Sequence, residues 1–221
     1  DIVAGEVRLI DVASGALTSP ATPGADIVQL HWRDDSQLLF VGAQGPNTVV
    51  GLLDGRSQTS RELWRGHECT PSGTMFPEVA PLGSDPANFL FLTESFFAPP
   101  TLFAFEDGEE RQIRRFGSPE TDAIVAPLGT ARDFRWRAPA GLDIHGWLIT
   151  PHGDGPHPLI MQVHGGPVWY TRPLYIGRSA FAQMALAAGY ALFQPNPRGS
   201  SGRGQAFARH VFGDMGGADT H

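Results

Sequence analysis

The sequence predicts two kinds of structure in series: four-stranded antiparallel blades of a β-propeller, then the opening of a parallel α/β sheet. Three observations carry this. Gly (27) and Pro (19) punctuate the 221 residues so densely that many short elements and turns are expected, not a helical bundle. Short apolar stretches recur through the first 130 residues, two of them closing on Asp-Gly. Beyond Phe134, continuous apolar runs flank a stretch of helical composition.

Charge divides the chain in the same way. Eight of the 16 Arg and 18 of the 23 acidic residues fall in residues 1–130, leaving residues 131–221 net positive. Such a change of sign suggests two domains, at 1–130 and 131–221. The chain contains no Lys, which reads as a genomic bias.

The first half reads as repeated strands. Glu6–Thr18 (EVRLIDVASGALT), Val49–Gly55 (VVGLLDG) and Leu102–Gly108 (LFAFEDG) share an apolar strand running into Asp and a turn. Their spacing of roughly 40–50 residues lies in the range of propeller blades. One unit reads as Ile27–Trp32, Gln37–Val41, Thr48–Leu53 and Glu62–Trp64, with a turn at Arg33–Ser36. The next reads as Val79–Leu82, Asn88–Thr93, Thr101–Phe105 and Gln112–Phe116. A four-stranded sheet buries both faces only by stacking on a neighbour, as blades do. A plain β-sandwich is the rival. Trp32, Trp64, Phe89, Phe91, Phe103 and Phe105 are expected in the core, and Asp54 and Asp107 in hairpin turns.

In the second half, Phe134–Arg137 and Ile144–Thr150 read as a hairpin about Ala138–Gly141. Pro158–Val163 is a continuous apolar run, expected as a strand buried on both faces. Ser179–Ala188 is expected as a helix stopped by Gly189, and Tyr190–Gln194 as the following strand. Strand, helix, strand makes one βαβ step.

His164-Gly165-Gly166-Pro167 follows the first of these strands. A glycine pair lets the backbone turn sharply and approach a ligand closely. It can also leave N–H groups free to stabilise the oxyanion of acyl transfer. The α/β-hydrolases place an HGG-type loop at this point.

Further residues extend the pattern. Gly141-Leu142-Asp143-Ile144-His145-Gly146-Trp147, the HGGP run, Gly189-Tyr190, Pro195-Asn196-Pro197-Arg198-Gly199-Ser200 and Gly213-Asp214-Met215-Gly216-Gly217 occur in order. From Phe134 to Gly217 the chain resembles the start of the catalytic domain of the prolyl oligopeptidase family, nearest its acylaminoacyl- and dipeptidyl-peptidase branches. The resemblance implies the last blades of a β-propeller followed by the N-terminal part of an α/β-hydrolase domain. It implies a serine peptidase acting on short peptides, with the Gly166 N–H as an oxyanion donor. His164, Gly165, Pro167, Asn196 and Arg198 would then frame the site. His164 is expected to shape the loop rather than act as base, and Arg198 to order its loop by hydrogen bonds. Trp169 and Tyr170 are expected either to line the cleft or to pack between domains.

No G-x-S-x-G pentapeptide occurs, and Gly199-Ser200-Ser201-Gly202-Arg203 has the wrong spacing for the nucleophile elbow. The Ser-Asp-His triad is therefore expected beyond His221, and this chain alone is expected to be inactive and poorly folded in its C-terminal part. A propeller-based binding protein with a vestigial hydrolase domain and an esterase of the same fold are the competing readings.

Other classes find no support. The net charge of −7 disfavours nucleic-acid binding, and no apolar run reaches the length of a membrane span. Neither G-x-x-x-x-G-K-[ST] nor H-E-x-x-H occurs, and no His shows metal-ligand spacing with a Cys, so no cofactor or metal is expected. The expected partner is a short peptide, with a homo-oligomer left open. Cys69 is the single cysteine, which fits a reducing, cytoplasmic compartment. The chain opens on Asp1 without a signal-peptide pattern, and an upstream segment is expected.

Overall fold

A computed structural model describes residues 5–22, 24–73, 75–139, 141–166 and 168–220. The first elements are a small hairpin, β1 (Leu9–Ile10) and β2 (Leu17–Thr18). A four-stranded antiparallel sheet follows in chain order: β3 (Asp26–Trp32), β4 (Gln37–Gln44), β5 (Asn47–Asp54) and β6 (Thr59–Gly66). Local turn chemistry fixes its connections. The Asp34 carboxylate accepts from the amides of Ser36 (2.7 Å) and Gln37 (2.8 Å), and Asp54 accepts from those of Arg56 (2.9 Å) and Ser57 (2.8 Å). Both are Asx turns, in which the side chain stands in for a backbone acceptor.

A second antiparallel sheet contains β7 (Thr70–Pro71), β8 (Val79–Pro81), β9 (Phe89–Glu94), β10 (Thr101–Glu106) and β11 (Glu109–Arg115). Its order is β11-β10-β9-β7, and β8 also pairs with β9. Asp107, in the β10–β11 turn, has φ +54, a conformation Asp tolerates better than most residues. The two sheets share one core. Leu39, Val41, Val50 and Trp64 of the first pack with Phe89, Phe91 and Phe105 of the second. Trp64 meets Phe91 edge-on at 5.1 Å, and Phe89 stacks on Phe105 at 4.8 Å. Burying each such ring stabilises by roughly 1.5–3 kcal/mol.

Trp32 departs from the expectation and is 60% exposed. Its register partner is Leu38, which puts it on the face carrying Leu38, Phe40 and Val49. Trp32 ends the edge strand, and the cluster on that face is completed by Val7 and Leu9 farther along.

The remaining chain forms a mixed sheet. A helix absent from the sequence reading, α1 (Pro119–Val125), leads into it. Ser118 caps that helix by accepting from the Thr121 amide, and Pro119 fills the first turn, where no N–H is needed. β12 (Gly129–Arg137) and β13 (Asp143–Pro151) form the expected hairpin, extended at both ends. β14 (Leu159–Met161), α2 (Ala180–Ala187) and β15 (Ala191–Asn196) make the βαβ step. Ser179 caps α2 through the Ala182 amide, and Gly189 (φ +83) ends it. The sheet order is β12-β13-β15-β14, with only β14 and β15 parallel. A short helix, α3 (Gly204–Ala208), follows.

β14 is not buried on both faces as its apolar sequence suggested. Leu159 (54%) and Met161 (58%) are exposed, and Ile160 turns the other way, against the core under α2. β14 is the outer strand of this sheet and only one of its faces is covered. Phe134, Trp136, Leu159, Met161 and Phe193 line a trough of about 690 Å³ on the open face. The covered face gathers Trp147, Ile149, Leu192, Ala182 and Leu186 with Val125 of α1 and Phe96 from the β9–β10 connection. The mixed sheet is thus packed on the N-terminal half. No helix among the described residues is long and apolar enough to cross a membrane.

Candidate active-site loop

β14 delivers the chain to the glycine pair. Gln162 still donates to the Phe193 carbonyl at 2.8 Å, and the backbone then leaves the sheet. Gly166 has φ +123, a region that L side chains rarely adopt. A Cβ there would lie 3.1 Å from Trp169 Cβ and 3.2 Å from its amide nitrogen. A Cβ on Gly165 would meet nothing within 4 Å, so this loop borders open space. Among the described residues, no hydrogen bond engages the N–H of Gly165 or Gly166. The loop therefore presents unspent backbone donors where the parallel strand ends, an arrangement suited to an anion or a polarised carbonyl. Pro167 lies outside the described residues.

His164 holds this loop to the next one. Its Nε2 is 2.9 Å from Ser200 Oγ, and its Nδ1 is 3.0 Å from the Gly165 carbonyl oxygen. Burial pushes its pKa below the usual histidine value. The Ser–His distance suits a nucleophile and base, but the surroundings do not. Ser200 is fully buried and its hydroxyl donates to the Pro197 carbonyl at 2.7 Å, leaving Oγ no approach to a substrate. The pair is a structural tie between loops.

Asn196, at the end of β15, is 1% exposed and fully engaged. Its Oδ1 accepts from the Thr171 amide at 2.6 Å. Its Nδ2 lies 3.0 Å from the Thr171 carbonyl and 3.2 Å from His145 Nε2. Arg198 does not order its loop as expected. It is half-buried and makes no hydrogen bond or ion pair among the described residues. Ser201 does that work, its amide donating to the Trp169 carbonyl at 3.2 Å and its hydroxyl to that of Val168. Trp169 meets Phe76 of the N-terminal half at 5.2 Å, Tyr170 is buried, and both line a cavity of about 340 Å³ beside His164.

Glu94 was not apparent from sequence. This buried carboxylate at the end of β9 accepts from Ser72 Oγ, from the Tyr175 amide at 2.8 Å and from Arg178. It anchors the loop that leads into α2.

His145 gives the site a pH signature. Burial, with Arg203 and Arg135 nearby, pushes its pKa down to about 4. Between about pH 6.5 and pH 4 the unfolded chain binds this proton and the folded protein does not, so stability falls as pH falls through that window. The loss amounts to roughly 3 kcal/mol once both states are protonated. Denaturant titrations at pH 7 and pH 4 measure it, and His145→Gln is expected to remove that share of the difference.

A mixed sheet with a βαβ step and a glycine loop at the end of its parallel strand defines an α/β core. Comparison with known proteins narrows this. Residues 178–221 match the prolyl oligopeptidase family. An uncharacterized peptidase of Bacillus subtilis, YuxL, is 31% identical over 142 residues, covering 62% of this chain and 21% of its own length. A probable dipeptidyl-peptidase 5 of Trichophyton verrucosum is 34% identical over 205 residues, covering 86% of this chain and 26% of its own length. Among solved structures, the acylaminoacyl peptidase of Pyrococcus horikoshii superimposes with a TM-score of 0.76 at 23% identity, over 98% of this chain and 32% of that one. The chain thus resembles members of the prolyl oligopeptidase family, by its C-terminal match to the family and by relatives named as peptidases. It spans between a fifth and a third of the length of these relatives.

Proposed function

We propose that the protein is a serine peptidase that cleaves short peptides through an acyl-enzyme, of acylaminoacyl- or dipeptidyl-peptidase type. The observation that carries this is the pair of N–H groups at Gly165 and Gly166, where β14 leaves the sheet, that no partner among the described residues engages. In this reading the Gly166 N–H stabilises the oxyanion formed when a serine attacks the scissile carbonyl. His164, Gly165, Asn196 and Arg198 frame that position. The two antiparallel sheets are successive propeller blades within residues 1–130, and residues 131–221 open the hydrolase domain. Substrates are short because the N-terminal half packs close to the loop, with Phe76 against Trp169.

The nucleophile, acid and base come from sequence outside these 221 residues. Ser200 sits beside a histidine but is buried. The 221-residue chain alone is therefore inactive, and the working enzyme is a cytoplasmic protein with these residues as one portion. A fluorophosphonate, which reacts with activated serines, tests the reading. The protein as its cell makes it should be labelled stoichiometrically, and a short peptide substrate should compete. An unlabelled protein that still binds peptides would favour a vestigial hydrolase domain.

A further inference from the structure

The loop after β15 is gripped from the N-terminal half as well as from its own sheet. Asp26 opens β3 and is 4% exposed. Its carboxylate accepts from the Gly202 amide, and from the Gly204 amide at 3.1 Å. From the β4–β5 turn, Gly45 donates to the Gly202 carbonyl at 2.6 Å. Both sides of Gly202 are thus fixed by the first sheet, across more than 150 residues of sequence. A buried carboxylate oxygen has no water to compete for these amides, which partly offset the upward push of burial on the Asp26 pKa.

The grip continues to the glycine pair. Ser201 bonds the carbonyls of Val168 and Trp169, and Ser200 bonds His164. The glycine pair is thus tied on both sides: His164 precedes it, with Nδ1 3.0 Å from the Gly165 carbonyl oxygen, and Val168 and Trp169 follow it within three residues.

We propose that Asp26 is a positioning residue for the reaction, holding the Gly165–Gly166 donors in place through the loop Pro197–Gly204. The N-terminal half then forms part of the catalytic scaffold and is not only a cover over it. This rests on the peptidase reading for its effect on rate, whereas the mechanical link stands apart from it.

The test uses the protein as its cell makes it, with Asp26→Asn. Amide exchange at Gly202 and Gly204 should accelerate about ten-fold with strands β4 and β5 unchanged, and the backbone NMR order parameters of residues 164–166 should fall with it. kcat for a short peptide should fall about ten-fold while KM stays within about two-fold, as expected when only transition-state contacts are disturbed. Loosening confined to residues 202–204, or an unchanged kcat in an active enzyme, would overturn the proposal. If Asp26→Asn fails to fold, Ser201→Ala breaks the same path farther along. It should lower the order parameters of residues 164–166 without faster exchange at Gly202 and Gly204, and unchanged order parameters at 164–166 would overturn the link. A wild-type protein without peptidase activity would sink the peptidase reading alone, and the order parameters would still decide the link.

Discussion

Gly166→Ala is expected to slow acylation about a hundred-fold, with little change in KM. The substitution strikes twice. At φ +123 an alanine is strained, and its Cβ would press on Trp169 at 3.1–3.2 Å. Trp169 is held in turn by Phe76 and by Ser201, so it yields little. The backbone of residue 166 must rotate instead, and its N–H would leave the position we propose for the developing oxyanion. Gly165→Ala is the control, since a methyl there meets open space. The rate of fluorophosphonate inactivation compares the two variants. A Gly166→Ala enzyme as fast as its Gly165→Ala counterpart would remove Gly166 from the oxyanion site.

Trp147→Ala is expected to destabilise the protein by about 3–5 kcal/mol. Trp147 is 1% exposed on β13 and meets Phe96 edge-on at 5.5 Å. Its indole N–H donates to the Thr171 carbonyl at 3.3 Å, so truncation leaves a cavity and also removes a bond to the loop before α2. Because Phe96 comes from the β9–β10 connection of the N-terminal half, the loss weakens the joint between the halves. Trp147→Phe keeps most of the volume and should cost less. Urea unfolding of both variants, followed by circular dichroism, measures the difference. Equal stabilities would mean that this core carries little of the fold.

The features legible in the sequence are those that depend on neighbours along the chain. Asp34 and Asp54 bond amides two and three residues on, so their turns could be read directly. The βαβ step was legible from Ser179 and Gly189, the start and stop of its helix. Ser118-Pro119 carried an equally local signal for α1, in a helix too short to show a periodic face. What could not be read depends on distance in sequence. An apolar run looks the same in a central strand and in an outer one, so the exposure of Leu159 and Met161 was hidden. Trp32 was misplaced for a similar reason, since burial at the end of an edge strand depends on what lies beside it. At the site, the glycine pair announced itself through its backbone freedom. Its supports did not. Ser200 lies 36 residues from His164, Glu94 lies 81 from Tyr175, and Asp26 lies 176 from Gly202. Nothing local in the sequence distinguishes these polar residues from solvated ones.

The most direct measurement is to map the serine that a fluorophosphonate modifies in the protein as its cell makes it, by mass spectrometry of its peptides. We expect one modified serine, on a G-x-S-x-G sequence outside residues 1–221, and no modification when the 221-residue chain is treated alone. Modification of Ser200, Ser201 or any other serine within the 221 residues would contradict the assignment of this chain as the donor-loop portion of the enzyme.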